Sequence, residues 1–209
     1  MLSTRSRPVR IALIALLIVA ALVLVAVAAV VAPILLHRSA GGSGQAVPDT
    51  IVSAVTATGA DDRTRTLTAQ NADGAPAALD ALEPGQQLQI DGGGFDAGIG
   101  IYVAICAIPA TADEKPGPCL GGIPEGAQSG DADLSHLSSA WVTNDWAWRN
   151  FATHTFTDDG DFSVELTVPE PEIDGLDCRV QRCAIATRAD HTASSDRVQD
   201  LLLPVAYRE

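Results

Sequence analysis

The three tryptophans of the chain, Trp141, Trp146 and Trp148, fall with Phe151 inside one short stretch, residues 138–151 (SSAWVTNDWAWRNF). Aromatic residues make up only 4% of the sequence, so this concentration marks a place built either to pack or to bind. Indoles next to a guanidinium, as Trp148 is to Arg149, have the composition of an interface hot spot. Trp146 and Trp148 share a parity beside Asn144 and Asp145. They either line a groove or fill the core, where buried aromatics dominate packing energetics. Trp141, within the strand-like Ala140-Trp141-Val142, is expected to face the core. A second polar loop, 188–200, alternates Arg188, Asp190, Asp196, Arg197 and Asp200 around His191. The expectation there is exposed local ion pairs, each worth under about 1 kcal/mol. Candidate contact residues are therefore Trp146, Trp148, Arg149, Phe151, Arg188 and His191.

Catalytic and metal chemistry finds less support. Ser194, His191 and Asp196 have the residue types of a nucleophile triad, but they share one loop with no strand–turn–helix elbow. Asp158-Asp159-Gly160-Asp161 offers carboxylates for calcium, yet the run is too short for an EF-hand loop and falls where a hairpin turn is needed. Asp91-Gly92-Gly93-Gly94-Phe95 lacks the Lys-Ser/Thr ending of a phosphate loop, so a bulge or tight connection is expected. The outer histidines, His136, His154 and His191, form no pair at ligand spacing. His191 and Tyr102 are residue types that can hold haem iron. The expectation is a protein that is not an enzyme, with no resident metal and haem as the cofactor to test.

Four cysteines, Cys106, Cys119, Cys178 and Cys183, complete the reactive residues. Three disulfide pairings exist. Cys106–Cys119 with Cys178–Cys183 is favoured because each closes a short loop flanked by turn residues, contributing about 3 and somewhat over 2 kcal/mol respectively. A four-thiolate zinc site would want cysteines two to four residues apart, and the first gap is too wide.

These residues must be positioned by something, and the patterning names the elements. Residues 11–36 form an uncharged apolar run, which at about 1.5 Å per residue spans roughly 39 Å, enough to cross a bilayer. Arg5, Arg7 and Arg10 precede it with no acidic residue before position 49, placing the N-terminus (1–10) in the cytoplasm. A signal peptide has a shorter apolar core and a small-residue site after it. A single-pass anchor in the cell membrane is expected, with everything beyond it extracytoplasmic. Residues 37–63 read as linker or stalk. The Gly/Ser/Pro-rich 39–50 is flexible, with a reach of about 20 Å, and 51–55 is open between strand and stalk.

From 64 to 209 the chain reads as all-β. Phe162, Val164, Leu166 and Val168 alternate with polar residues, between an Asp-Gly turn and two prolines. Residues 101–108 (IYVAICAI) have the near-continuous apolarity of a central strand covered on both faces. Further strands are expected at 86–90, 140–143, 154–157, 182–187 and 201–207. Pro204 puts the last at an edge or a bulge. About seven short strands without helices predict a two-sheet sandwich. With 26 acidic against 13 basic residues and a net charge of −13, the chain excludes phosphate-backbone binding. Such a domain is repelled by anionic headgroups and is expected to stand off the membrane.

The motifs also resemble a known family. Leu82-Glu83-Pro84-Gly85, Leu88-Gln89-Ile90, Gly92-Gly93-Gly94-Phe95, Ala97-Gly98, Tyr102-Val103 and Cys106, then 160–168 (GDFSVELTV) and Asp177-Cys178 with Cys183, resemble the neocarzinostatin family of secreted bacterial proteins. The resemblance covers about residues 80–207. It implies a seven-stranded immunoglobulin-like sandwich with one wide and one narrow bridge; some members carry an enediyne chromophore in a cleft at one end. Residues 100–106, 118–122, 140–142 and 186–192, with Asp196-Arg197, Gln199-Asp200 and Pro204-Val205, look more like companion domains of surface haem-uptake proteins of high-GC Gram-positive bacteria. Together these readings predict a membrane-anchored binding module with a membrane or envelope protein as partner. The alternative is binding of haem or another planar apolar ligand, in a haem-uptake or antibiotic-sequestration role.

Overall fold

The computed structural model describes residues 7–122 and 136–208. The chain divides into two compact units, 1–37 and 38–209. The first contains one helix, α1 (Arg7–Leu36), starting four residues before the apolar run with Pro8 in its first turn, where a missing N–H is tolerated. Its mean hydropathy reaches 3.3 and none of that window is buried, so length and apolarity suit a membrane span. A signal sequence meets the same test.

The second unit is a sandwich of two four-stranded antiparallel sheets. One pairs β1 (Ala54–Thr58), β2 (Thr64–Asn71), β3 (Gln87–Gly93) and β6 (Phe162–Thr167) in the order β1-β2-β3-β6. The other takes β4 (Ile101–Ala107), β5 (Ser139–Val142), β9 (Cys183–Ala189) and β10 (Leu202–Val205) in the order β10-β9-β4-β5. A two-stranded ribbon, β7 (Glu172–Ile173) and β8 (Leu176–Asp177), lies between β6 and β9 in sequence. As the apolar pattern requires, β4 is interior, and β10, with Pro204, is an edge.

The period-2 alternation decides which side chains meet. Leu67, Ala69, Leu88, Ile90, Val164 and Leu166 from one sheet face Ile101, Val103, Ile105, Ile185 and Leu203 from the other. Phe95, Phe156 and Phe162 close one end, Phe95 and Phe162 edge-to-face at 5.1 Å between centroids. Gly92 is needed there, because a Cβ would lie 2.1 Å from the Phe162 ring. Gly94 turns the chain with φ +74°. The glycine cluster thus serves strand pairing and a tight turn.

Two expectations change. Residues 39–58 are not a free linker. Gly42 bridges Arg197, Gln45 bonds the main chain of Leu202 in both directions at 2.8 Å, and Arg182 reaches the Pro48 carbonyl. Residues 54–58 then enter the sheet as β1, with Val55 and Ala57 packed on the core. A Gly/Ser composition reports backbone freedom, but the Gln45 amide supplies the missing partners of an edge strand. The strand expected at 154–157 is reduced to one bridge, Val142 to His154, because the Asn144 side chain takes both main-chain groups of Phe156 instead.

Candidate binding face

Both disulfides form as favoured, Cys106–Cys119 and Cys178–Cys183. The first has a positional effect. On β4, β9 and β10 the outward side chains Ala104, Cys106, Ala184, Ala186 and Leu202 make a second apolar cluster, with Ile108 and Cys119 packed against it. The 107–120 loop, tied at Cys106–Cys119 and bonded through Ala107 and Leu120, folds over this face.

At the margin of the loop the outer face presents a transverse row. The register sets Arg188 of β9 opposite Tyr102 of β4, and Tyr102 opposite Trp141 of β5. The Arg188 guanidinium lies 5.9 Å from the Tyr102 ring centroid, and the Tyr102 and Trp141 rings are 5.8 Å apart. Trp141 therefore faces outward, against expectation: in the half-buried/buried alternation of β5, Ala140 and Val142 take the core positions. Parity, and not side-chain size, decides the face.

The row is fixed from behind by Asp190, which is 0% exposed. One carboxylate oxygen accepts from Thr192 N and Oγ1 at 2.8 and 2.6 Å, starting the short 3-10 turn His191–Ala193. The other accepts from Trp141 Nε1 at 2.9 Å. Gly100 permits this, since a Cβ there would sit 2.1 Å from Asp190 Oδ2. His191 Nδ1 meets the Tyr102 hydroxyl at 3.0 Å, and its ring stands edge-on to Trp148 at 4.7 Å and Trp141 at 5.3 Å. His191 is thus engaged with Tyr102 and the indoles, and the triad with Ser194 and Asp196 is not assembled through this nitrogen. Asp196 instead accepts from Val198 N and Ala40 N.

The two paired tryptophans of the insertion part company. Residues 145–151 form a compact turn begun by Asp145, whose carboxylate takes Ala147 N at 2.8 Å and whose carbonyl takes Arg149 N at 2.8 Å. A turn rotates successive side chains, so strand parity does not apply. Trp148 is half-buried against His191 and Trp141, while Trp146 and Phe151 are 65% and 69% exposed, with Arg149 exposed between them.

The 188–200 loop also departs from expectation. Asp190, Asp196, Arg197, Gln199 and Asp200 are all buried. Arg197 and Asp200 pair at 2.8 Å. Burial pushes the Asp200 carboxyl up to about 7, against the downward pull of Arg197. A residue unmarked by the motifs, Arg65, is 0% exposed, with Nε on Gln199 at 2.7 Å and Nη1 on Asp61 at 2.9 Å. Its signal was there: Arg65 shares the inward parity of Leu67 and Ala69 in β2. Gln199 passes the contact on to the carbonyls of Asp96 and Ile99 at 3.0 and 3.1 Å.

Electrostatics around the row are cationic on one side. Burial, reinforced by Asp190 and opposed by Arg188, raises the Tyr102 pKa, so it stays a neutral phenol. Burial and then the Arg188 charge hold Lys115 below the usual lysine range. Burial likewise lowers Arg188 and His154. Among the described residues no group of three His, Cys, Asp or Glu converges as a metal site; Asp161 accepts from Gly94 N at 3.0 Å.

No protein-family model and no curated protein matches the chain. One solved structure that it is similar to, titled macromomycin and of the neocarzinostatin family, is 16% identical and aligns over 68% of this chain and 98% of its own, with a TM-score of 0.38. A likeness that slight carries no weight for a ligand, and the two-sheet antiparallel sandwich stands on its own strand pairings. Nothing in it bears on the haem-uptake companion domains.

Proposed function

We propose that the protein is a non-catalytic binding module, held at the cell membrane by α1 with its sandwich on the extracytoplasmic side, whose partner is a membrane or envelope protein. The observation that carries this reading is the 145–151 turn. It holds Trp146 and Phe151 in water with Arg149 between them, on a framework pinned by Asp145, Asn144 and Trp148. Large apolar side chains fixed in solvent on a rigid turn suit an anchor entering a partner's pocket. The two disulfides suit an oxidising compartment. A photo-crosslinking residue at position 146 or 151 of the full-length protein, expressed in its own cells, is expected to trap one discrete protein. The same residue at exposed Glu165 on β6 is expected to trap none. Equal labelling from all three sites, or no adduct from any, rejects the reading.

A second reading is favoured by a separate observation, the half-buried rings of Tyr102, Trp141 and Trp148 gathered with the exposed ring of His191 around one hydrogen bond. Such a cluster suits a small planar apolar ligand, haem included. Of the two residues there that can hold haem iron, His191 is exposed and Tyr102 half-buried, so His191 is the ligating residue to test. Haemin titration should shift the absorbance maximum in the wild type and not in His191→Ala. A spectrum identical to free haemin ends the haem form of this reading.

A further inference from the structure

We infer that the outer face of the β10-β9-β4-β5 sheet takes a small planar molecule bearing a carboxylate or phosphate. Its ring lies on the Tyr102–Trp141–Trp148–His191 cluster and its anionic group lies against Arg188 and Lys115. The inference rests on the second reading of the face and adds the charge of the ligand to it.

The argument starts from an imbalance. The chain carries 26 acidic residues against 13 basic ones, and a cation held out of water needs a carboxylate beside it. Among the lysine and arginine side chains held out of solvent, Arg65 and Arg197 each have one within ion-pair distance, whereas Arg63, Arg149 and Arg182, which show none, are exposed. Arg188 and Lys115 have none among the described residues. A guanidinium offers five donors. Arg188 commits Nη1 to the Pro116 carbonyl at 2.9 Å, while its buried Nε has no acceptor at all. Lys115, the chain's one lysine, reaches the carbonyl of Ala189, next to Arg188, at 2.7 Å. The two cations thus share one locality, each bonded directly to a neutral carbonyl, while the nearby Asp200 carboxylate is paired with Arg197 and not with either of them. Burial is the largest cause that lowers the proton affinity of each; Arg188 and Arg197 lower Lys115 further, and Arg197 lowers Arg188. An anion placed between them gives each cation a directly paired charge, and a neutral ligand gives neither one.

The planar part follows from the rings. Arg188 stands directly across from Tyr102, and Tyr102 from Trp141, so cation, phenol and indole occupy adjoining positions of one row. Neighbouring centroids along the cluster are 4.7 to 6.4 Å apart, within the range in which aromatic rings attract edge-on or offset. Asp190 and His191 hold them there without an added ligand. A ring seated on Tyr102 and Trp141 brings a substituent at its edge to the Arg188 end of the row. An acidic side chain of a protein could satisfy the cations too, but only by bringing a flat aromatic neighbour with it; a single small molecule meets both demands.

The test uses full-length protein in non-ionic detergent and three probes of one shape: 2-naphthoate, 2-naphthyl phosphate and neutral 2-naphthamide. Tryptophan fluorescence is the readout, and detergent partitioning is common to all variants. The two anions are expected to quench saturably at sub-millimolar concentration, with the amide at least about tenfold weaker. Arg188→Gln should weaken the anions about tenfold and leave the amide unchanged, and Arg188→Lys should restore most of the loss. Should Arg188→Gln lose its near-UV circular dichroism, Lys115→Gln and salt decide. Anion binding in the wild type must then weaken between about 50 and about 500 mM sodium chloride. Amide and anions binding alike, with Trp148→Ala abolishing all, overturns the inference and leaves a small-molecule face. Anion binding indifferent to Arg188, Lys115 and salt overturns it as well. No saturable quenching by any probe overturns the inference together with the reading beneath it.

Discussion

The two sheets share one core but turn unlike faces away from it. The outer face of β1-β2-β3-β6 is a field of hydroxyls and amides: Thr58 meets Thr64 at 2.9 Å, Gln89 meets Ser163 at 2.6 Å, and Gln87 meets Thr167 at 2.9 Å across the strands. Water can replace every one of those partners. The outer face of β10-β9-β4-β5 is alanine, cysteine and leucine, roofed by a disulfide-tied loop. Its uncovered remainder is the aromatic row with Arg188. A sheet with one wet face needs only alternation. A sheet dry on both sides needs a roof, and the margin of that roof is where half-buried rings and unpaired cations can be held ready for a ligand.

The contrast can be broken most severely by charge. Ala186→Glu places a carboxylate under the roof and is expected to cost more than about 3 kcal/mol or prevent folding, whereas Thr56→Glu, on the open face, should change stability by less than about 0.5 kcal/mol. Urea unfolding midpoints compare the two. Similar losses would show that both faces are wet. Removing the roof's tie, Cys106→Ala with Cys119→Ala, should lower stability by about 3 kcal/mol and increase binding of an apolar dye. A double variant with unchanged midpoint and dye binding would show the loop closed by packing alone.

A smaller effect sharpens the same boundary. Asp200 lies under the roof with a pKa pushed up to about 7 by burial, against about 3.9 unfolded. Below pH 4 the carboxyl is protonated in both states and its burial costs little. As pH rises from about 4 toward and through 7 the unfolded chain gives up this proton more readily, so stability is lost, on the order of 4 kcal/mol by pH 8. Melting temperatures of wild type and Asp200→Asn should diverge over that window. Parallel curves from pH 5 to 8 would mean that Arg197 keeps the carboxylate ionised throughout.

Much of the frame could be read from residue order. The 162–168 alternation, the apolar 101–108 run, the edge proline and both disulfides report on local spacing, and local spacing determines them. What escaped depends on partners distant in sequence. Trp141 is expected inward from its place in the strand-like Ala140-Trp141-Val142, but its companions, Trp148, His191 and Asp190, come from the 145–151 turn and the loop after β9. The charges of 188–200 looked solvated because their burial depends on Arg65 and on residues 40–45, more than 100 positions away. The Gly/Ser segment looked slack for the same reason. Arg188 and His191 are brought together with Trp148, while Trp146, Arg149 and Phe151 point to solvent, dividing one list of candidates into two surfaces.

Gln45 has a wider consequence. By giving both ends of its amide to Leu202, it blocks the free margin of β10 at the point just before Pro204 removes a donor anyway. A margin closed by a side chain and a proline is a poor template for strand addition by a neighbouring molecule. Loss of that one amide would register in crowded preparations as fibre growth or precipitation, well before it registered as a shift in the melting curve.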